Sequence, residues 1–171
     1  MNHNSAMNHD PAMNHDTRTL TGSATRDAVM LGACCATLAT LVPIALKQTG
    51  VIDHLPDPPG RVFRSDRITE SDSAHPLGIP DSMLGLASFG TTLALILLAK
   101  RNRRARTLLG GKLAADAAFA AFNLGRQMVQ FGKLCSWCTG TAVAALTMSA
   151  AGKMVMLDAV SEAVASLDTD R

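Results

Sequence analysis

The chain of 171 residues has no tyrosine, one tryptophan and five phenylalanines, so aromatics are only 4% of it. That leaves little material for the aromatic belts that mark membrane–water interfaces. Charge is also scarce, at 18% of residues, and the formal net charge is +2. A nucleic-acid binder of globally basic type is therefore excluded, and 47% apolar residues exclude an intrinsically disordered chain. Four cysteines in a chain of this length are too few for a disulfide-rich miniprotein. By length the chain reads as one domain.

The apolar residues sit in blocks almost free of charge. Ala28 to Leu46 is nineteen uncharged residues, Ser82 to Ala99 is eighteen, and Leu134 to Gly152 is nineteen. Leu113 to Phe131 is another nineteen, interrupted by Asp116 and Arg126. A helix needs about 17–25 predominantly apolar residues to cross the hydrocarbon layer. A soluble bundle would instead show a polar face at helical spacing, and Leu93 to Ala99 shows none. The expected fold is all-α, a polytopic membrane protein with a four-transmembrane-helix bundle and a long first extracytoplasmic loop.

Orientation follows from the basic residues. Lys100, Arg101, Arg103, Arg104, Arg106 and Lys112 fall in one segment without an acid, which the positive-inside rule places in the cytoplasm. Four spans then put both termini in the cytoplasm of a multi-pass cell-membrane protein. The segment from Lys47 to Asp81 faces outside, with four basic residues against six acids. It is rich in turn signals, such as Pro56-Asp57-Pro58-Pro59-Gly60, and is too long for a mere connector. Asp81 or Ser82 is available to cap the second span.

The expected divisions are a disordered tail at 1–26, the four-helix domain at 27–157 and a C-terminal tail at 158–171. No apolar core follows a basic start, so the first block reads as a span rather than a cleaved leader. Residues 1–18 repeat a six-residue Met-Asn-His unit three times. Methionine and histidine suit copper or nickel, but ligands so spaced in an unfolded tail do not preorganise a site. The repeat is read as solvated low-complexity sequence, with no metal assigned.

The cysteines carry the chemistry. Cys135-Ser136-Trp137-Cys138 is a CxxC at the start of the last block. A helix beginning near Leu134 puts Cys135 in its first turn and Cys138 one turn deeper. Free backbone N–H groups and the positive helix end favour a thiolate there, with Lys133 nearby. Disulfides persist on the extracytoplasmic side. A zinc site would need more ligands, with only His54 and His75 of the loop as candidates, and an inert buried pair is the other alternative. Cys34 and Cys35 fall well inside the first span, too deep to pair with the CxxC, and read as packing residues.

From Asp27 to Met156 the chain resembles the vitamin K epoxide reductase family. The resemblance rests on Arg61-Val62-Phe63-Arg64-Ser65, on Gly78-Ile79-Pro80-Asp81-Ser82-Met83-Leu84-Gly85 and on Leu134-Cys135-Ser136-Trp137-Cys138. It implies a quinone, of ubiquinone or menaquinone type, bound at the outer mouth and reduced by electrons from thiols. By resemblance Cys138 faces the quinone, Cys135 exchanges with the thiol donor, and Asp81 and Ser65 line the quinone pocket. The implied partners are the quinone, a periplasmic thioredoxin-like thiol protein and the lipid bilayer, with no nucleic acid.

The chain departs from the family pattern in two places. Relatives usually carry two relay cysteines in the loop, whereas none lies between Lys47 and Asp81 here. A tyrosine often found four residues after the second CxxC cysteine is Ala142. Without the relay, Cys135 must meet its donor directly, so residues 53–73 are expected to leave it partly uncovered. A non-catalytic membrane relative with a structural role, and a metal-handling membrane protein, are the alternatives to an enzyme.

Overall fold

The computed structural model describes the backbone of residues 11–169, with side chains described for 23–162 and for Val164. Helix α1 (Pro11–Gln48) is followed by a 49–80 segment holding the short helix α2 (Ser65–Thr69) and two 3-10 turns. Then come α3 (Asp81–Ala99), α4 (Arg103–Phe131), α5 (Ser136–Ala151) and α6 (Lys153–Thr169). Among the described residues there is no strand, only an isolated parallel bridge between Phe63 and Leu134. The chain is all-α.

Among the described residues, two helices are long and apolar enough to cross a membrane, over Ser23–Gln48 and Asp81–Ala99. The pair Ser136–Ala151 and Lys153–Glu162, bent by 63°, makes a third if taken as one span. Helix α4 falls outside that set, because Lys112, Asp116 and Arg126 interrupt its apolar run. Large apolar side chains nonetheless stay exposed along the bundle, among them Leu97, Leu98, Phe122, Val129 and Val143. Such surface suits lipid rather than water.

The helices hold together mainly by close packing, since lipid offers no hydrophobic penalty to drive them together. Met30, Cys34, Leu41, Phe89, Leu109, Leu113, Ala145 and Met148 form the buried core. Small residues set the closest approaches: a Cβ added at Gly110 would stand 2.5 Å from Ala159 Cβ and from the Val155 carbonyl oxygen. Cys34 is fully buried and donates to the Phe89 carbonyl at 3.6 Å, while its neighbour Cys35 lies on the exposed side of α1.

Three boundaries differ from the sequence expectation. Helix α4 begins at Arg103, so most of the basic segment before the Leu113–Phe131 block is helical; the Asn102 side chain accepts from the N–H groups of Arg104 and Ala105, at 2.9 and 3.3 Å, and starts the helix there. Hydropathy cannot see this, because Arg, Ala and Leu are good helix formers whatever their polarity. At α3 the N-cap is Pro80, without a side-chain bond, and the Asp81 and Ser82 side chains turn to α1 instead. Helices also occupy 11–26 and most of 158–171; the repeats within residues 1–10 lie outside the described residues.

Candidate functional site

Helix α4 ends at Phe131, where Gly132 takes a left-handed conformation (φ 57°) and donates to the Met128 carbonyl. Glycine adopts this geometry without penalty, and it turns the chain back within four residues. Cys135 is consequently the N-cap of α5 rather than part of its first turn. Its N–H donates to Gln127 Oε1 at 2.9 Å, and its Sγ accepts from the Cys138 N–H at 3.1 Å. A sulfur that caps a helix this way is better satisfied as thiolate than as thiol. Both cysteines are free thiols in this structure.

Residues 55–65 lie over the pair. Leu134 N–H donates to the Val62 carbonyl at 3.0 Å and Arg64 N–H to the Leu134 carbonyl at 2.9 Å. Lys133 Nζ donates to the Arg61 carbonyl, and Trp137 Nε1 to the Pro56 carbonyl at 3.0 Å. Beneath them the Asp57 carboxylate accepts from the hydroxyls of Ser65 and Ser136 and from the Ser65 N–H, while Ser65 Oγ accepts the Ser136 N–H at 3.0 Å. Burial pushes the Asp57 carboxyl up, but hydrogen bonds from Ser136 and Ser65 outweigh it and hold it below its ordinary value.

The expectation of a partly uncovered Cys135 is thereby corrected, since its exposure is 0%. The physical reason is the polar lattice around Asp57, whose partners are scattered through the sequence.

Beside the pair is a cavity of about 460 Å³ among α1, α3, α4 and α5. Its walls are mostly apolar, from Leu41, Ile44, Phe89, Ala120 and Ala142. Cys138, Asp81, Asn123, Arg126 and Gln127 supply polar groups, as do Ser88, Lys112 and Asp116. Ser88 follows Asp81 by seven residues on α3, so these two groups stand about 10 Å apart along the helix. Lys112 pairs with Asp116 and donates to Ser88 Oγ at 2.8 Å, and Thr92 donates to Asp116 at 2.8 Å. Phe119 lines the cavity yet is 63% exposed, so the α4 flank is open.

Of the residues singled out from sequence, Cys138 and Asp81 share this cavity. Cys135 touches Cys138 but is absent from the lining, and Ser65 is fully buried in the Asp57 lattice, also outside the lining. Asp81 accepts from Gln48 Nε2 at 2.8 Å, and the same amide accepts from Ser82 through its oxygen. Sequence reasoning missed Gln48, Asp57 and Gln127 as site residues. For Asp116 and Arg126 a signal existed, because ionisable residues inside an apolar block usually mark function.

No curated protein and no solved structure matches the chain. A family model, described as the vitamin K epoxide reductase family, matches residues 28–151, well over half of the sequence. That range takes in α3, α4, α5, the covering segment and both cysteines of the CxxC. The chain belongs to the vitamin K epoxide reductase family.

Proposed function

We propose that this membrane protein is a quinone-dependent thiol oxidoreductase, with Cys135 and Cys138 as its redox pair. A thiol protein of the periplasmic thioredoxin-like kind reduces the pair by exchange at Cys135. The reduced pair then gives two electrons and two protons to one ubiquinone- or menaquinone-type molecule and closes again as the disulfide; the product is the quinol. Cys138 is the cysteine on the quinone side. Asp81 borders the same chamber and binds a quinone oxygen when protonated or through water. Ser65 acts from the other side, steadying Ser136 between the cysteines.

One observation carries this reading: Cys138 borders a cavity whose exposed wall is mostly apolar, and its N–H holds the sulfur of Cys135. Apolar walls with a few convergent polar groups suit a small hydrophobic ring. The open flank at Phe119 suits a ligand arriving from lipid. The proposed topology has α1, α3, α4 and the bent α5–α6 pair as four spans, both termini in the cytoplasm and the CxxC outside.

A second reading, a non-catalytic membrane relative, is favoured by the complete burial of Cys135 and the lack of any loop cysteine between Lys47 and Asp81. The two readings part on one experiment. Cys138→Ser leaves Cys135 without its resolving partner and accumulates a mixed disulfide with the donor, identifiable by mass spectrometry. Cys135→Ser traps nothing. If neither variant traps a thiol protein, and the wild type reduces no quinone with added dithiols, the structural reading replaces the enzyme.

A further inference from the structure

Among the buried side-chain nitrogen and oxygen atoms of the described residues, Arg126 Nε is the one left without a hydrogen-bond partner. The same guanidinium is anchored through Nη1, which donates to the Ser73 carbonyl at 2.9 Å. Arg126 lines the cavity together with Cys138 and Asp81. Its neighbour Gln127 accepts the Cys135 N–H at 2.9 Å, so this turn of α4 stands level with the CxxC. An unmet buried donor is costly, and more so on a charged group. The two carboxylates of the lining are engaged elsewhere, Asp81 by Gln48 and Asp116 by Thr92 and Lys112.

We propose that Arg126 is the quinone-anchoring residue, donating from Nε to an oxygen of the bound ring. This rests on the quinone reading above. A guanidinium stays protonated, so Arg126 gives the quinone no proton; both protons of the quinol come from the two thiols. Its contribution is a fixed positive donor where the ring oxygen gains electron density during reduction. Such preorganised charge acts most strongly in an apolar, water-poor site.

The test is equilibrium binding, read by quenching of Trp137, the single tryptophan, in full-length Cys138→Ser protein in micelles. The probe is 2,3-dimethyl-1,4-naphthoquinone, whose substituted ring resists alkylation; its control is 2,3-dimethylnaphthalene, the same skeleton without oxygens. Adding Arg126→Gln should weaken quinone binding roughly ten-fold or more, the scale of a charge-assisted hydrogen bond, and leave the hydrocarbon unchanged. Arg126→Lys should recover part of the loss, and it decides the matter by the same ligand pair if the Gln variant fails to fold. Equal quinone binding with and without Arg126 overturns the proposal, as does an equal loss for both ligands, which would make Arg126 only a tether for Ser73. If the parent protein binds no quinone at all, the functional reading itself fails, a result distinct from either.

Discussion

Asp57 and Ser136 lie 79 residues apart in sequence and are joined by a hydrogen bond of 2.6 Å. One partner belongs to the segment that follows α1, and the other sits between the two cysteines of the CxxC. Asp57 also holds Ser65, so a single carboxylate fastens the covering segment to the CxxC.

Asp57→Ala should therefore speed alkylation of Cys135 by a polar maleimide. Hydrogen bonds to a charged group are worth about 1.5–3 kcal/mol, or roughly ten-fold and upward in the open population. Mass-spectrometric counting of modified Cys135 against time measures it. An unchanged rate would mean that the backbone contacts of Val62 and Arg64 hold the cover alone.

The same carboxylate sets an acid limit. A group whose folded pKa is lowered stabilises above its unfolded value, and that stability is lost as pH falls through the folded value. For Asp57 the folded value lies below the ordinary 3.8. The emission of Trp137, bonded to Pro56 in the cover, should stay constant as pH falls from neutrality to about 4, near the unfolded carboxyl value. It should shift red only below that. Asp57→Asn, with nothing to titrate there, should lack this acid step.

The Lys112–Asp116 pair is paid for by its partners Ser88 and Thr92. Asp116→Leu alone strands an ammonium in the bundle and should cost about 3–5 kcal/mol, the usual penalty for breaking a buried pair. The double variant Lys112→Met/Asp116→Leu should recover most of that, as judged by denaturation in micelles. Destabilisation of the double variant as large as that of the single would show that the charges themselves hold the helices.

Topology has its own check. A reporter fused after Arg101 should be active only in its cytoplasmic form, and one fused at Ser71 only in its periplasmic form. The reverse pattern puts the CxxC in a reducing compartment, where a persistent disulfide is not expected.

Much of this architecture is legible in the sequence because its signals are local. Ala28–Leu46 and Ser82–Ala99 announce α1 and α3 by length and lack of charge, and the CxxC announces itself by spacing. The start of α4 is less visible, since Asn102 caps a helix whose first turns are as basic as any cytoplasmic loop. The cover over Cys135 is invisible for another reason. Asp57, Ser65 and Ser136 are ordinary residues until folding brings them together, and Asp57-Pro58-Pro59 reads simply as a turn. Gln127 is hidden likewise, one more polar residue near a helix end until it receives the Cys135 N–H.

The burial of Cys135 has a kinetic consequence. A sulfur with 0% exposure reacts only from an opened conformer, so a thiol supplied in increasing concentration drives the reaction to a ceiling set by opening. Different small thiols, whatever their nucleophilicity, then converge on the same plateau rate. A donor escapes that ceiling only by binding the cover itself, for instance by taking over the carbonyls of Pro56 and Arg61 that Trp137 and Lys133 now occupy. On the proposed function, selectivity for a thiol donor would then reside in which protein can lift residues 55–65, before any sulfur is touched.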